Sequence, residues 1–243
     1  LEEEYAVWLK QQALDFAPRA NWSDQDLRPL LNDDTKRFDD WIREHPDHFR
    51  GLMAYATILS EENRTAELEI TLKKLVEIYP EYTGADNAAQ QLAQLYQNQN
   101  RFAEEQQILE EHARINPDAL GVYQRLIELY QQQEDWSAVY QTARLAHAVN
   151  PLNQDTQLSL AIACTSLDRR QEAIQAYRAI LALDPHNKAE MHYQIARLLK
   201  SENQQQAKRH TLIALEQAPR FRAAHLLLLE LTTENTTPRS QRN

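Results

Sequence analysis

Residues 171–187 read QEAIQAYRAILALDPHN, and the spacing of their apolar and small side chains decides the architecture. Ala173, Tyr177 and Ile180 fall on one face of a helix. Pro185 ends that helix, because proline donates no backbone hydrogen bond and restricts the residue before it. The same design occupies DWSAVYQTARLAHAVNP (135–151), where Val139, Ala143 and Ala146 take the equivalent places. Working outward, Pro46, Pro80, Pro117, Pro151, Pro185 and Pro219 stand 34, 37, 34, 34 and 34 residues apart. A fixed period in this range is the signature of stacked helix–turn–helix units that share one core.

Aligning the units on their prolines predicts a first helix with an inner stripe. That stripe is Leu52, Tyr55, Ala56 and Leu59 before Pro80, and Ala89, Leu92, Ala93 and Tyr96 before Pro117. It continues as Tyr123, Leu126, Ile127 and Tyr130, then Gln157, Leu160, Ala161 and Cys164. The unit ending at Pro219 needs a one-residue shift and gives His192, Ile195, Ala196 and Leu199. In the second helices Leu68, Leu72 and Leu75 fit the buried pattern, and Ala207, Thr211 and Ala214 fit acceptably. Glu105, Leu109 and His112 fit it poorly, and Phe102 or Trp136 at the turn is expected to close the pair.

Composition agrees with an all-α chain. Only three glycines occur, and Gln, Ala, Leu and Glu abound. A net charge of −10 argues against nucleic acid as a partner. The single cysteine, Cys164, excludes an internal disulfide and leaves the compartment unread. No run of about 18 apolar residues is present, so no membrane span is expected. The chain opens at Leu1 inside a helical pattern, which favours a piece excised from a longer protein.

These stripes resemble the tetratricopeptide repeat family, over 47–219 most clearly and over 22–46 more weakly. The family's usual glycine at position 8 is absent, with Ala in four units and Ile127 in one. The resemblance implies a right-handed superhelical solenoid of about five to six repeats, with first helices lining a concave face. Residues 1–46 are expected to form N-terminal helices and a degenerate first repeat, and 47–219 the repeat array. Phe221–Thr233 (within 220–233) is expected to form a capping helix, and 234–243 a disordered tail. Within the first segment, residues 1–16 read as a helix with Tyr5, Trp8, Leu9 and Phe16 apolar. Ser23 with Asp26 resembles a capping box for a short helix ending near Asn32, and Asp34–His45 follows as another.

Catalytic chemistry finds no constellation. No histidine begins an HExxH motif, and three glycines cannot supply a phosphate-binding loop. His45 and His48 read as solvated loop residues, His112 and His192 as packed aromatics, and Cys164 as a small core hydrophobe. Sequons at Asn21, Asn63 and Asn235 carry no weight on their own. No metal and no cofactor is expected.

The concave face that the resemblance implies carries Gln90, Gln91, Gln94, Gln97, Gln124, Arg125 and Gln131 in the middle of the chain. Their amides can both donate to and accept from an extended peptide backbone. Toward the C-terminus the equivalent positions hold Leu158, Ile162, Tyr193, Arg197, Leu226 and Leu229, an apolar floor with one cation. The carboxylate clamp of co-chaperone relatives is not matched, since Asp155 would repel a carboxylate. The reading is a noncatalytic scaffold that binds a protein or peptide, or another domain of the parent protein. Two alternatives stand beside it. The opening LEEEYAVWL resembles the helix after the catalytic domain of some bacterial gluzincin-type metallopeptidases, which would make this a substrate-holding region. The apolar last helix would suit homo-oligomerisation.

Overall fold

The computed structural model describes residues 2–23, 35–84 and 87–233, which hold thirteen α-helices and no strand. The expected helix ending near Asn32 and the expected polar tail lie outside the described residues. The chain divides into two compact units, Leu1–Val122 and Tyr123–Asn243. The first holds α1 (Glu2–Phe16), α2 (Thr35–Glu44), α3 (Phe49–Glu61), α4 (Thr65–Ile78), α5 (Ala88–Asn98) and α6 (Phe102–Ile115). The division falls within α7 (Leu120–Gln132). The second holds α8 (Trp136–Val149), α9 (Gln154–Ser166), α10 (Arg170–Ala182), α11 (Lys188–Leu199), α12 (Gln204–Gln217) and α13 (Arg222–Thr233). From α2 to α6, and again from α8 to α13, each helix packs on the next one in sequence.

Two devices set the period. The first is the proline stop. Tyr79, Asn116, Asn150 and Ala218, each just before a proline, leave the helix with ψ between 73° and 93°. The second is a left-handed residue between the helices of a hairpin: Asn63, Asn100, Glu134 and Asp168, at φ 54° to 57°. Around Asn63, its N–H bonds the Ser60 carbonyl and the Arg64 N–H reaches back to Leu59. The same pair of bonds recurs at Asn100, Glu134 and Asp168. Carbonyls that the helix end would leave without partners are thereby satisfied. Asn and Asp tolerate this conformation, whereas Glu134 has no such excuse.

The hairpin before Pro185 departs from the others. Its second helix stops at Ala182, and Asp184 itself turns left-handed at φ 55°. The next hairpin, α11–α12, lacks a left-handed turn residue altogether. The one-residue shift read from the sequence coincides with this irregular stretch.

Second-helix positions are buried in every hairpin, including Glu105 and His112, which had fitted the pattern poorly. First-helix stripes follow suit with three exceptions: Tyr130, Leu160 and His192 are only half-buried. Phe102 does not close its hairpin, for it is 40% exposed, and Trp136 is half-buried. Small residues carry much of the second unit's core. Ala143, Ala146, Ala161, Ala173, Ala196, Ala207 and Ala214 are all fully enclosed, which lets helix axes approach closely.

The start of the first unit is built on aromatics instead. Trp22 packs on Phe49 and Tyr79, and Phe38 on Trp41 and Tyr55. His45 and His48 belong to this cluster and are not solvated loop residues: His45 stacks on Trp41 at 4.3 Å, and His48 is buried. His48 Nδ1 accepts the Gly51 N–H at 2.9 Å as the cap of α3, so its Nε2–H donates to the Ser23 carbonyl. Gly51 is needed here, because a Cβ would lie 2.5 Å from the Trp41 ring. In α1, by contrast, Tyr5, Val7, Trp8 and Leu9 are exposed.

Ile195→Ala should cost about 2–5 kcal/mol in urea unfolding, by lost burial and cavity formation. Leu160→Ala, at a half-buried position, should cost clearly less; equal losses would contradict the observed register. Glu134→Asn should add up to about 1 kcal/mol, since asparagine tolerates the left-handed turn better. A loss of stability there would mean that the Glu134 side chain has a role the turn geometry does not show.

Candidate functional site

Polar clusters recur where one hairpin meets the next, and their geometry marks them as structural. In the first unit Glu69 of α4 receives Arg101 at 2.6 Å, Lys73 at 2.6 Å and the Tyr96 hydroxyl at 3.2 Å. Arg101 lies 4.3 Å above the Tyr96 ring. Hydrogen bonds from Arg101 and then Lys73 hold the Glu69 carboxyl down at about 2. One hairpin earlier, Asp39 accepts the Tyr55 hydroxyl at 2.6 Å and Arg64 at 3.1 Å. In the second unit Glu172 accepts the Tyr140 hydroxyl and Arg169, which sits 4.0 Å over the Tyr140 ring. In each cluster a carboxylate is bonded to a cation and to a tyrosine hydroxyl, an arrangement that joins neighbouring helices.

The inner face of the first unit is polar and largely self-satisfied. Gln90 and Gln94 are both exposed on α5. Gln94 spends its amide on Gln97 and Asn98, at 2.8 and 3.1 Å. Gln90 contributes its backbone N–H to the Asn87 cap of the helix.

The second unit has a different surface, formed by α7 from Tyr123 onward, α9, α11 and α13. A cleft of about 460 Å³ between α7 and α9 brings together Gln124, Leu158 and Ile162, with Gln131 and Ser159 bonded across it at 3.3 Å. A second, of about 360 Å³ between α11 and α13, brings together Tyr193, Arg197 and Leu226. Between α9 and α11 lies a third, of about 450 Å³, that also takes Arg197. Arg125 is turned onto Glu128 at 2.6 Å and does not line these clefts. Leu229 lies on the exposed side of α13, outside the cleft.

Helix α13 explains why leucines stay in water. Ala224, Leu227 and Leu231 face α12 and are buried, with Leu228 half-buried. Leu226 and Leu229 then point away, 53% and 61% exposed. Sequence reasoning missed the charged rim: Glu128, Asp168, Arg170, Lys200 and Glu230 also line the clefts. A signal for part of it was present, since Lys200 and Glu230, 2.9 Å apart in space, stand close to one repeat apart in sequence.

Other reactive groups are locked away. Burial raises the Cys164 thiol, which keeps it protonated. His112 is buried with neither ring nitrogen bonded among the described residues, and burial lowers its pKa. His192 and His210 share a proton between Nδ1 atoms 2.9 Å apart, in the α11–α12 hairpin. Burial, then the charges of His192, Arg178 and Arg209, lowers His210 to about 4. Among the described residues no group of three or more His, Cys, Asp or Glu side chains is placed to hold a metal ion. No described helix is long and apolar enough to cross a membrane.

A model of the tetratricopeptide repeat matches residues 155–187, which span α9 and α10. Among solved structures the chain is similar to YrrB, described as a tetratricopeptide-repeat protein with an unusual peptide-binding site. The TM-score is 0.56 at 17% identity, over 81% of this chain and 97% of that one. It is similar to MamA at a TM-score of 0.52 and 15% identity, over 69% of this chain and 90% of that one. In a complex of Naa15 and Naa10 bound to HypK-THB, the likeness has a TM-score of 0.63 at 15% identity. It covers 83% of this chain and 31% of that one. No curated protein sequence matches the chain.

His112, His192 and His210 make stability depend on pH. Their folded pKa values lie below 6.5, so the unfolded chain binds protons first. Stability should therefore decline as pH falls below about 6.5, and for His210 the decline should continue to about 4. Glu69 acts in a lower window: its contribution is present above 4.5 and lost as pH falls toward 2. Urea midpoints measured against pH should show a shallower decline between 6.5 and 4 in His210→Gln. Identical profiles for the two proteins would rule out a proton-linked His192–His210 pair.

Proposed function

We propose that this chain, which matches the tetratricopeptide repeat over residues 155–187, is a noncatalytic scaffold whose second unit grips a peptide segment along α7, α9, α11 and α13. Of the structures of similar fold, the Naa15/Naa10 complex is described as bound to HypK-THB. One observation carries the finer reading: Leu226 and Leu229 are exposed beside clefts that the described residues leave open. Contiguous apolar surface of this kind marks contact sites. The first unit contributes less, because Gln94 is bonded to Gln97 and Asn98. YrrB, of similar fold, is described by its peptide-binding site, which supports the class of ligand without identifying it.

The peptide would lie against Leu158 and Ile162 at one end and Leu226 and Leu229 at the other, with Gln124 and Gln131 offering backbone hydrogen bonds. Rigidity comes from within the second unit: each helix from α9 to α12 packs on the one before it and the one after it, so little ordering entropy opposes binding.

Peptides selected from a random library on the full chain should bind the wild type and lose affinity to Leu226→Ser/Leu229→Ser. The melting temperature should change by no more than about 4 °C, as expected for exposed side chains. A large fall in melting temperature with peptide affinity intact would show that these leucines serve the core. That result would overturn the assignment.

A further inference from the structure

Most cations lining the second unit's clefts are neutralised within the chain. Arg170 lies beside Asp168 at 2.8 Å and Lys200 beside Glu230 at 2.9 Å. Arg197 differs: among the described residues it has no carboxylate. Its Nη1 donates to the Gln194 amide oxygen at 3.1 Å, and its guanidinium lies 5.8 Å from the Tyr193 ring centroid. Tyr193 is braced by Phe221 at 4.9 Å. A guanidinium has five donors in a planar fork that matches a carboxylate, and an aromatic neighbour steadies it. The chain carries 36 acidic against 26 basic Lys and Arg residues, so carboxylates to neutralise Arg197 are not scarce. Among the described residues it is nevertheless left without one, next to Leu226.

Deepening the scaffold reading above, on which this rests, we propose that Arg197 and the Leu226–Leu229 edge of α13 receive an acidic–apolar segment of a partner protein. An internal Asp or Glu carboxylate of that segment sits on the Arg197 guanidinium, and a neighbouring apolar side chain covers Leu226 and Leu229. Charge complementarity selects the carboxylate. The position of Arg197 selects an internal residue over a chain terminus, because Arg197 lines the clefts on both sides of α11. A segment passing over it fills both, whereas a terminus ending there would leave one empty.

The test uses short random peptides displayed on phage and selected on the full chain, then resynthesised with amidated C-termini and measured by fluorescence anisotropy. The selected sequences should be enriched in Asp or Glu next to an apolar residue. Arg197→Gln should weaken binding about tenfold or more, as expected for loss of a charge-assisted pair. Replacing the peptide's acid by its amide should weaken binding to the wild type by a similar factor. Against Arg197→Gln the same replacement should change little, the non-additivity expected of groups in contact. The melting temperature of Arg197→Gln should match the wild type, since the residue is exposed. Peptides that depend on Leu226 and Leu229 but ignore Arg197 would sink this inference and leave the scaffold reading standing. Dependence on a free C-terminal carboxylate, or self-association through α13 that excludes peptide, would also overturn it. Selection of no binder at all would overturn both readings.

Discussion

The structure depends on one backbone constraint, the left-handed residue that turns each regular hairpin. At Asn63, Asn100, Glu134 and Asp168 the chain reverses at a single positive φ, and two N–H groups reach back to the carbonyls of the helix just ended. The turn therefore sets where the second helix begins and which of its faces meets the first. Given that orientation, residues spaced four and three apart, such as Ala173, Tyr177 and Ile180, must face inward. The proline ends the second helix after a fixed number of turns, and the cycle begins again. Where the device is missing, at α11–α12, the register shifts by one residue.

Burial in these hairpins is achieved with little bulk. Alanines enclosed on both helices permit close packing; aromatic side chains cluster at the start of the first unit, and elsewhere Tyr96, Tyr123, Tyr140 and Tyr177 are buried one to a helix. The cost of close packing is that polar groups at the seams must be satisfied locally. The Glu69–Arg101–Tyr96 cluster and its counterpart at Tyr140, Arg169 and Glu172 do so, each uniting groups about one repeat apart in the chain. With the turns and seams satisfied in this way, the surfaces of the first helices remain as the place where unfilled bonding capacity collects.

Those surfaces are unequal. On α5 Gln94 bonds Gln97 and Asn98, which lowers what a ligand can gain from it. On α9, α11 and α13 the same positions carry Leu158, Ile162, Tyr193, Arg197, Leu226 and Leu229, whose surface meets water at a cost that a partner can remove. The proposed binding therefore belongs to the second unit for a physical reason, and the Arg197 guanidinium is the reason for proposing an acidic partner.

The period, the helical class and the identity of the buried second-helix positions could be read from residues alone, because proline, small residues and the spacing of Ala173, Tyr177 and Ile180 act locally. Even the candidate surface was legible in part, since helical periodicity places Leu226 and Leu229 opposite Ala224, Leu227 and Leu231. Packing decided the rest. Glu105 and His112 are buried although their chemistry argues otherwise, and Leu160 is half-exposed although its chemistry argues for the core. His48 looks like a loop residue in sequence, yet it caps α3 because Trp41 and Gly51 close around it. Sequence periodicity gives the angle of a side chain about its own helix; only tertiary structure decides what stands on the other side, and therefore which polar group is neutralised and which, like Arg197, meets no carboxylate among the described residues.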